Sequence, residues 1–121
     1  MACVLVIEDN PANMKLTVTM LDQAGHQILQ AEDAEQGLRL AREARPDLIL
    51  MDIQLPGMDG LQAMRLLKAD QDTQNIKVIA LTAFAMSGDR EKFQAAGCDG
   101  YLAKPIRYKE FLSLVAEVLA R

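Results

Sequence analysis

No stretch of this sequence approaches the roughly 18 consecutive apolar residues that cross a bilayer, and no basic region, apolar stretch and cleavage site combine into a secretion signal. Membrane insertion and export are therefore not expected, and the chain reads as cytoplasmic. Positive charge is also scarce: 13 Lys and Arg face 17 Asp and Glu, for a net charge of −4, and no basic cluster offers phosphates a neutralising stripe. That argues against direct nucleic-acid binding. Tryptophan is absent, and the two cysteines, Cys3 and Cys98, read as small buried hydrophobes rather than a disulfide or metal pair. The only histidine, His26, sits at a turn with no ligand set beside it, so a histidine taking part in the chemistry must come from another molecule. No linker or low-complexity segment divides the 121 residues, which suffice to bury about two-thirds of the unfolded surface. One domain spanning 1–121 is expected.

What is present is a set of short apolar runs that end on reactive residues. Val4-Leu5-Val6-Ile7 ends on Glu8-Asp9, Leu48-Ile49-Leu50-Met51 on Asp52, Val78-Ile79-Ala80-Leu81 on Thr82, and Gly100-Tyr101-Leu102-Ala103 on Lys104-Pro105. As parallel strands, these runs bring three carboxylates, a hydroxyl and an ammonium to one sheet edge. Acids so close repel unless a divalent cation neutralises them, and an all-oxygen ligand set suits Mg²⁺.

Strand-like and helix-like segments alternate five times, the pattern of a parallel sheet with helices on both faces. Asn10-Pro11 opens a first helix with Met14, Val18 and Leu21 facing inward, stopped by Gly25. The second strand is centred on Ile28-Leu29, and the next helix runs from about Asp33 to Ala44 before Pro46. Asp59 caps a third helix ending near Asp70. A fourth helix is expected from Met86 or Ser87 to Ala96-Gly97, and a fifth from Ile106 to Leu119 with Phe111, Val115 and Val118 on one face. Leu16 and Met20 fall off the first helix's inward stripe; they read either as an exposed docking patch or as scattered surface hydrophobes.

A carboxylate is a competent nucleophile towards phosphorus, and Asp52 is the candidate. Glu8, Asp9, Asp52 and the Gln54 backbone carbonyl are candidate Mg²⁺ ligands, with Lys104 and Thr82 placed to stabilise phosphoryl oxygens.

The segments Glu8-Asp9, Leu50-Met51-Asp52-Ile53-Gln54-Leu55-Pro56-Gly57-Met58-Asp59-Gly60, Thr82-Ala83 and Lys104-Pro105 resemble the acidic pair, phosphoacceptor segment, switch hydroxyl and lysine of response regulator receiver domains, over essentially the whole chain. Glu8 to Leu16 and Thr82-Ala83-Phe84-Ala85-Met86 look especially like stand-alone receivers of the DivK type and like receivers attached to hybrid histidine kinases. The resemblance implies a flavodoxin-like (CheY-like) sheet in strand order 2-1-3-4-5 with five helices, and a cis Lys104-Pro105 bond. It implies phosphoryl transfer to Asp52, with Mg²⁺ bound, from a phosphohistidine on a histidine kinase or phosphotransfer protein. Thr82 would then move toward the phosphoryl group and Tyr101 would rotate inward, although on sequence grounds Tyr101 reads equally as a half-buried strand aromatic. The face from the fourth to the fifth helix, with Tyr101 and Tyr108, would meet a downstream regulated protein. A monomer is expected, with phosphorylation the event that could pair two copies. Gln54 and Phe84 would flank the path of the water that removes the phosphoryl group.

Three other placements stand beside this one. The chain reads alternatively as a receiver excised from a hybrid histidine kinase. A Mg²⁺-dependent phosphoaspartyl enzyme of the haloacid dehalogenase type is disfavoured because it needs an acid two residues after the nucleophile, where this chain has Gln54. A small flavin- or nucleotide-binding domain of the same fold class is disfavoured by the acidic loop after the first strand, which has no glycine-rich phosphate cradle.

Overall fold

The computed structural model describes residues 2–82 and 89–121. The elements run β1 (Cys3–Ile7), α1 (Pro11–Gln23), β2 (Gln27–Ala31), α2 (Ala34–Ala44), β3 (Leu48–Asp52), α3 (Gly60–Ala69), β4 (Lys77–Thr82), α4 (Asp89–Ala95), β5 (Gly100–Ala103) and α5 (Tyr108–Leu119). The five strands form a parallel sheet in the order β2-β1-β3-β4-β5. This is the order the family resemblance implied. Register decides what meets at the carboxyl edge: Ile7 pairs with Met51, Asp52 with Leu81, and Thr82 with Ala103. Glu8, Asp52, Thr82 and Lys104 therefore end neighbouring strands at one level.

Alternation along each strand divides the core in two. Val4, Val6, Leu48, Leu50, Ile79 and Leu81 face Met14, Met20 and Leu21 of α1 and Phe111, Val115 and Val118 of α5. Leu5, Ile7, Ile49, Met51, Val78 and Ala80 face residues of α2, α3 and α4, among them Leu38, Met64, Leu67 and Phe93. A sheet covered on both faces needs apolar side chains on both, which is why these strands read as unbroken apolar runs.

Local signals set the helix ends. The Asn10 side chain accepts hydrogen bonds from the Ala12 and Asn13 N–H groups, at 2.9 and 3.1 Å, with Pro11 in the first turn. Asp33 caps α2 and Asp59 caps α3, each accepting from the N–H three residues on at 2.8 Å. Beyond α2 the chain turns through Arg45 in the left-handed region, φ 48°, a position more often taken by glycine. The Lys104-Pro105 bond is cis.

Several expectations need correction. Strand β2 extends past Ile28-Leu29 in both directions, because it follows β1 in register along all five residues. Helix α5 starts at Tyr108 rather than Ile106, since Arg107 is still extended at φ −99° and ψ 129°. Met20 is buried, not exposed, because α1 packs beside α5 as well as on the sheet and Met20 joins the Phe111, Val115 and Val118 cluster. Thr17 rather than Val18 is the most buried side chain of the middle turn of α1. Cys3 and Cys98 are half-buried rather than buried, and neither forms a disulfide. The expected start of α4 at Met86 or Ser87, and Phe84, lie outside the described residues. Among the described residues no helix is long and apolar enough to cross a membrane.

Candidate functional site

The site is assembled at the shared edge from the last residues of β3 and β4 and from the residues that follow β1, β3 and β5. Strand β3 ends on Asp52, whose side chain is nearly inaccessible, and Glu8 follows β1 in a similarly buried position. Lys104, just beyond β5, reaches back between them. Its ammonium donates to Glu8 Oε1 at 2.8 Å and to Asp52 Oδ2 at 3.1 Å. Each carboxylate has a second tie: the Asn10 N–H donates to Glu8 Oε2 at 3.2 Å, and the Gln54 N–H donates to Asp52 Oδ1 at 3.0 Å. Backbone bonds fix the level of the edge, with the Lys104 N–H on the Thr82 carbonyl at 2.7 Å and the Ile53 N–H on the Leu81 carbonyl at 3.0 Å.

Asp9 is exposed and completes a carboxylate group in which Glu8, Asp9 and Asp52 each offer an oxygen, these atoms all within 4.8 Å of one another. Two carboxyl groups and one ammonium sit in a region where water is largely excluded, and the protonation of Glu8 and Lys104 reflects it. Burial pushes the Glu8 carboxyl up to about 7; the hydrogen bond and charge of Asp52 push the same way, against Lys104 and the Asn10 N–H. Burial works against the Lys104 ammonium, but the hydrogen bonds and charges of Glu8 and Asp52 outweigh it and hold its pKa above the ordinary lysine value. The donor set is all oxygen, acidic and open to solvent at Asp9, which fits a hard cation that retains water, such as Mg²⁺, and not a metal that prefers sulfur or imidazole.

Thr82 is buried at the end of β4 and lines a cavity of about 220 Å³ together with Ile53, Gln54, Asp59, Leu61, Lys92 and Phe93. Glu8 and Asp9 open on their other side into a groove of about 410 Å³ floored by Pro11, Met14 and Val18 between α1 and α2. The structure thus brings together Glu8, Asp9, Asp52, Gln54, Thr82 and Lys104. Tyr101 stands apart on β5, half-buried, its ring against that of Phe93 with centroids 5.3 Å apart and planes tilted by 30°. Leu16 and Tyr108 are exposed, at 48% and 50%, while Met20 is withdrawn into the core. His26 lies at the opposite end of the sheet, its Nδ1 accepting from the Ala2 N–H at 3.3 Å.

Residues not singled out from the sequence also shape the site. The backbone N–H of Asn10 holds Glu8, Phe93 holds Tyr101, and Lys92 lines the Thr82 cavity. Only Asn10 carried a signal, as a helix cap next to the acidic pair. The contacts of Phe93 depend on how α4 meets β5.

Residues 4–116 match the family model of the response regulator receiver domain. Among curated proteins, the polar-differentiation response regulator DivK of Brucella anthropi is 44% identical over 116 residues, which are 96% of this chain and 94% of that one. Among solved structures, the receiver domain of sensor histidine kinase PA1611 from Pseudomonas aeruginosa, with a magnesium ion coordinated in its active-site cleft, is 37% identical with a TM-score of 0.91. The alignment covers 99% of this chain and 98% of that chain. The Vibrio cholerae chemotaxis protein CheY4 is 25% identical with a TM-score of 0.91, over 98% of each chain.

Proposed function

We propose that this chain, which belongs to the response regulator receiver family, takes up a phosphoryl group on Asp52 from a phosphohistidine and relays or reports it by changing conformation. The observation that carries this reading is the state of Asp52: a buried carboxylate at the sheet edge, with one oxygen held by Lys104 and the other by the Gln54 N–H. A carboxylate held at both oxygens is oriented for attack, and the adjacent opening at Asp9 leaves room for a donor.

In the transfer, an Asp52 oxygen bonds to phosphorus as the phosphorus–nitrogen bond of the donor breaks. The bonding pair returns to the imidazole, which leaves as the neutral ring once it has a proton. Glu8, Asp9, Asp52 and the Gln54 carbonyl are the proposed Mg²⁺ ligands, and the magnesium in the cleft of the Pseudomonas receiver supports that choice. When bound, the metal would neutralise charge on the phosphoryl oxygens. Lys104 already lies 3.1 Å from Asp52 and turns its ammonium to a phosphoryl oxygen. Thr82, at the same level on β4, donates its hydroxyl to another. These groups act on the chain's own phosphorylation and serve a regulatory role.

The added dianion changes the preferred packing around Thr82, and Tyr101 follows by rotating inward, a population shift between two arrangements. The donor is a histidine kinase or a histidine phosphotransfer protein. Leu16 is offered to it on α1, and Tyr101 and Tyr108 to a downstream protein, without Met20. The likeness to a receiver of a sensor histidine kinase supports a second placement, in which the same chemistry serves within a hybrid kinase.

Intact-mass measurement after incubation with acetyl phosphate tests the reading. One added phosphoryl group is expected in the natural protein with Mg²⁺, and none with a chelator or in Asp52→Asn. Uptake that survives Asp52→Asn would place the acceptor elsewhere.

A further inference from the structure

The loop that carries Asp52 into α3 is closed by a glycine whose place in the fold is set by space, not by its backbone angles. Gly60 is the first residue of α3 and is buried. Its N–H donates to the Ile53 carbonyl at 2.9 Å, tying the start of the helix to the residue after Asp52. A Cβ at this position would lie 2.5 Å from the Asp52 carbonyl oxygen and 2.6 Å from the Ile53 Cα, well inside van der Waals contact. Both are backbone atoms and neither can rotate away. The other close approaches differ in kind: a Cβ at Gly37 meets the flexible Ile7 side chain and one at Gly97 the stem of the Lys68 side chain.

We infer that Gly60 is a positioning residue, its bare Cα packed on the Asp52–Ile53 backbone so that the first turn of α3 sets where the Asp52 carboxylate sits. The inference rests on the phosphoacceptor reading of Asp52. Neither side of the contact is free to retreat. Asp59 caps the helix at 2.8 Å, and Ala63, Met64 and Leu67 anchor its buried face. Strand β3 is hydrogen-bonded to β1 on one side and β4 on the other. A methyl group at residue 60 therefore separates α3 from the Asp52 peptide by pushing on both. The carboxylate moves relative to Lys104 and to the Gln54 N–H, each now within hydrogen-bond reach. Displacements of this order at a reacting group can cost up to about a hundredfold in rate.

The test compares the natural chain with Gly60→Ala and Ala63→Gly, the second weakening the same helix away from the loop. Two readouts are taken: the amide NMR shifts of Ile53 and Gln54, and the rate of phosphoryl uptake from acetyl phosphate at saturating Mg²⁺. Gly60→Ala is expected to shift both amides and to slow uptake at least tenfold with little change in the acetyl phosphate concentration for half-maximal rate. Ala63→Gly is expected to leave both readouts near the natural values. Adding Ile53→Ala to Gly60→Ala is expected not to restore uptake, because the obstruction is backbone. Unmoved amides in Gly60→Ala, or equal effects from Ala63→Gly, overturn the inference. If the natural protein takes up no phosphoryl group, the phosphoacceptor reading fails and the amide shifts alone decide the role of Gly60. If Gly60→Ala does not fold, Asp59→Ala, which loosens the same helix start by deleting its cap, is expected to shift the Gln54 amide and slow uptake two- to fivefold; an unmoved amide overturns the inference.

Discussion

The Lys104 ammonium meets the Glu8 carboxylate at 2.8 Å across a separation of 96 residues, and both side chains are largely shielded from water, at 15% and 3% exposure. The same ammonium reaches Asp52 at 3.1 Å, so one cation is shared by two buried acids. Lys104→Met is expected to leave those acids uncompensated and to destabilise the metal-free protein by about 3 kcal/mol at pH 8, as breaking a buried pair does. Urea unfolding measures the loss, which should shrink on adding Mg²⁺ and at pH 5, where Glu8 is protonated. A loss independent of both conditions would mean that packing of the lysine stem, and not its charge, is what the substitution removes.

Glu8 gives the metal-free protein a pH dependence of unusual sign. Its carboxyl is raised from 4.5 to about 7 by burial and by Asp52, so the folded chain binds a proton more readily than the unfolded one. The stability this contributes is complete below about pH 4.5 and is lost as pH rises through about 7. Relative to Glu8→Gln, the natural protein should lose stability over that window. With Glu8 among the proposed ligands, Mg²⁺ binding would displace the proton, so the affinity for the ion should rise with pH up to about 7 and level off above it. Calorimetric titrations at pH 6 and pH 8, in buffers of different ionisation enthalpy, measure both the affinity and the proton released. PH-independent affinity with no proton release would remove Glu8 from the ligand set.

At Arg45 the backbone outweighs the side chain. The residue ends α2 in the left-handed region, where a non-glycine side chain costs about 1 kcal/mol or more. Its ion pair with Asp72, 3.3 Å long, joins side chains that are 66% and 58% exposed and contributes little. Arg45→Ala should therefore change stability by less than about 0.5 kcal/mol, Arg45→Gly should be neutral or slightly stabilising, and Arg45→Val should cost about 1–2 kcal/mol. Thermal unfolding of the three variants gives the order, and a large loss in Arg45→Ala would instead credit the ion pair.

The carboxyl edge of the sheet was legible in the sequence because a strand buried on both faces must be apolar throughout. The first polar residue after such a run, Asp52 or Glu8, then marks where it emerges. The caps Asn10 and Asp59 were legible for a similarly local reason, since each bonds N–H groups within its own first turn. What depended on neighbours was not. Met20 sits off the stripe that faces the sheet, and it is buried in a cluster that the α5 residues Phe111, Val115 and Val118 complete. Within the site, the meeting of acids and lysine at one edge could be read, but not the sharing of one ammonium by Glu8 and Asp52. Gly60 was hidden for a different reason: it ends a loop rich in turn-forming residues, and a glycine chosen for space looks the same as one chosen for a turn.

The absence of tryptophan makes the Tyr101 proposal directly testable. The chain has two tyrosines, so Tyr108→Phe leaves Tyr101 as the only strong near-ultraviolet emitter. In the structure its ring is half-buried against Phe93 at 5.3 Å, on the side of the sheet that α4 covers. A contact of this kind adds about 0.5–1.5 kcal/mol beyond area burial and restrains the ring. In the Tyr108→Phe background, Phe93→Leu should lower stability by about 1 kcal/mol and make Tyr101 more accessible to acrylamide quenching. Phosphorylation by acetyl phosphate with Mg²⁺ should act in the opposite direction, reducing quenching as the ring turns inward toward Thr82. If Phe93 restrains the ring in the unphosphorylated arrangement, Phe93→Leu should also bring part of that reduction forward, so the further change on phosphorylation becomes smaller. Quenching that is unaltered by phosphorylation would confine Tyr101 to the half-buried strand aromatic that its place on β5 equally allows.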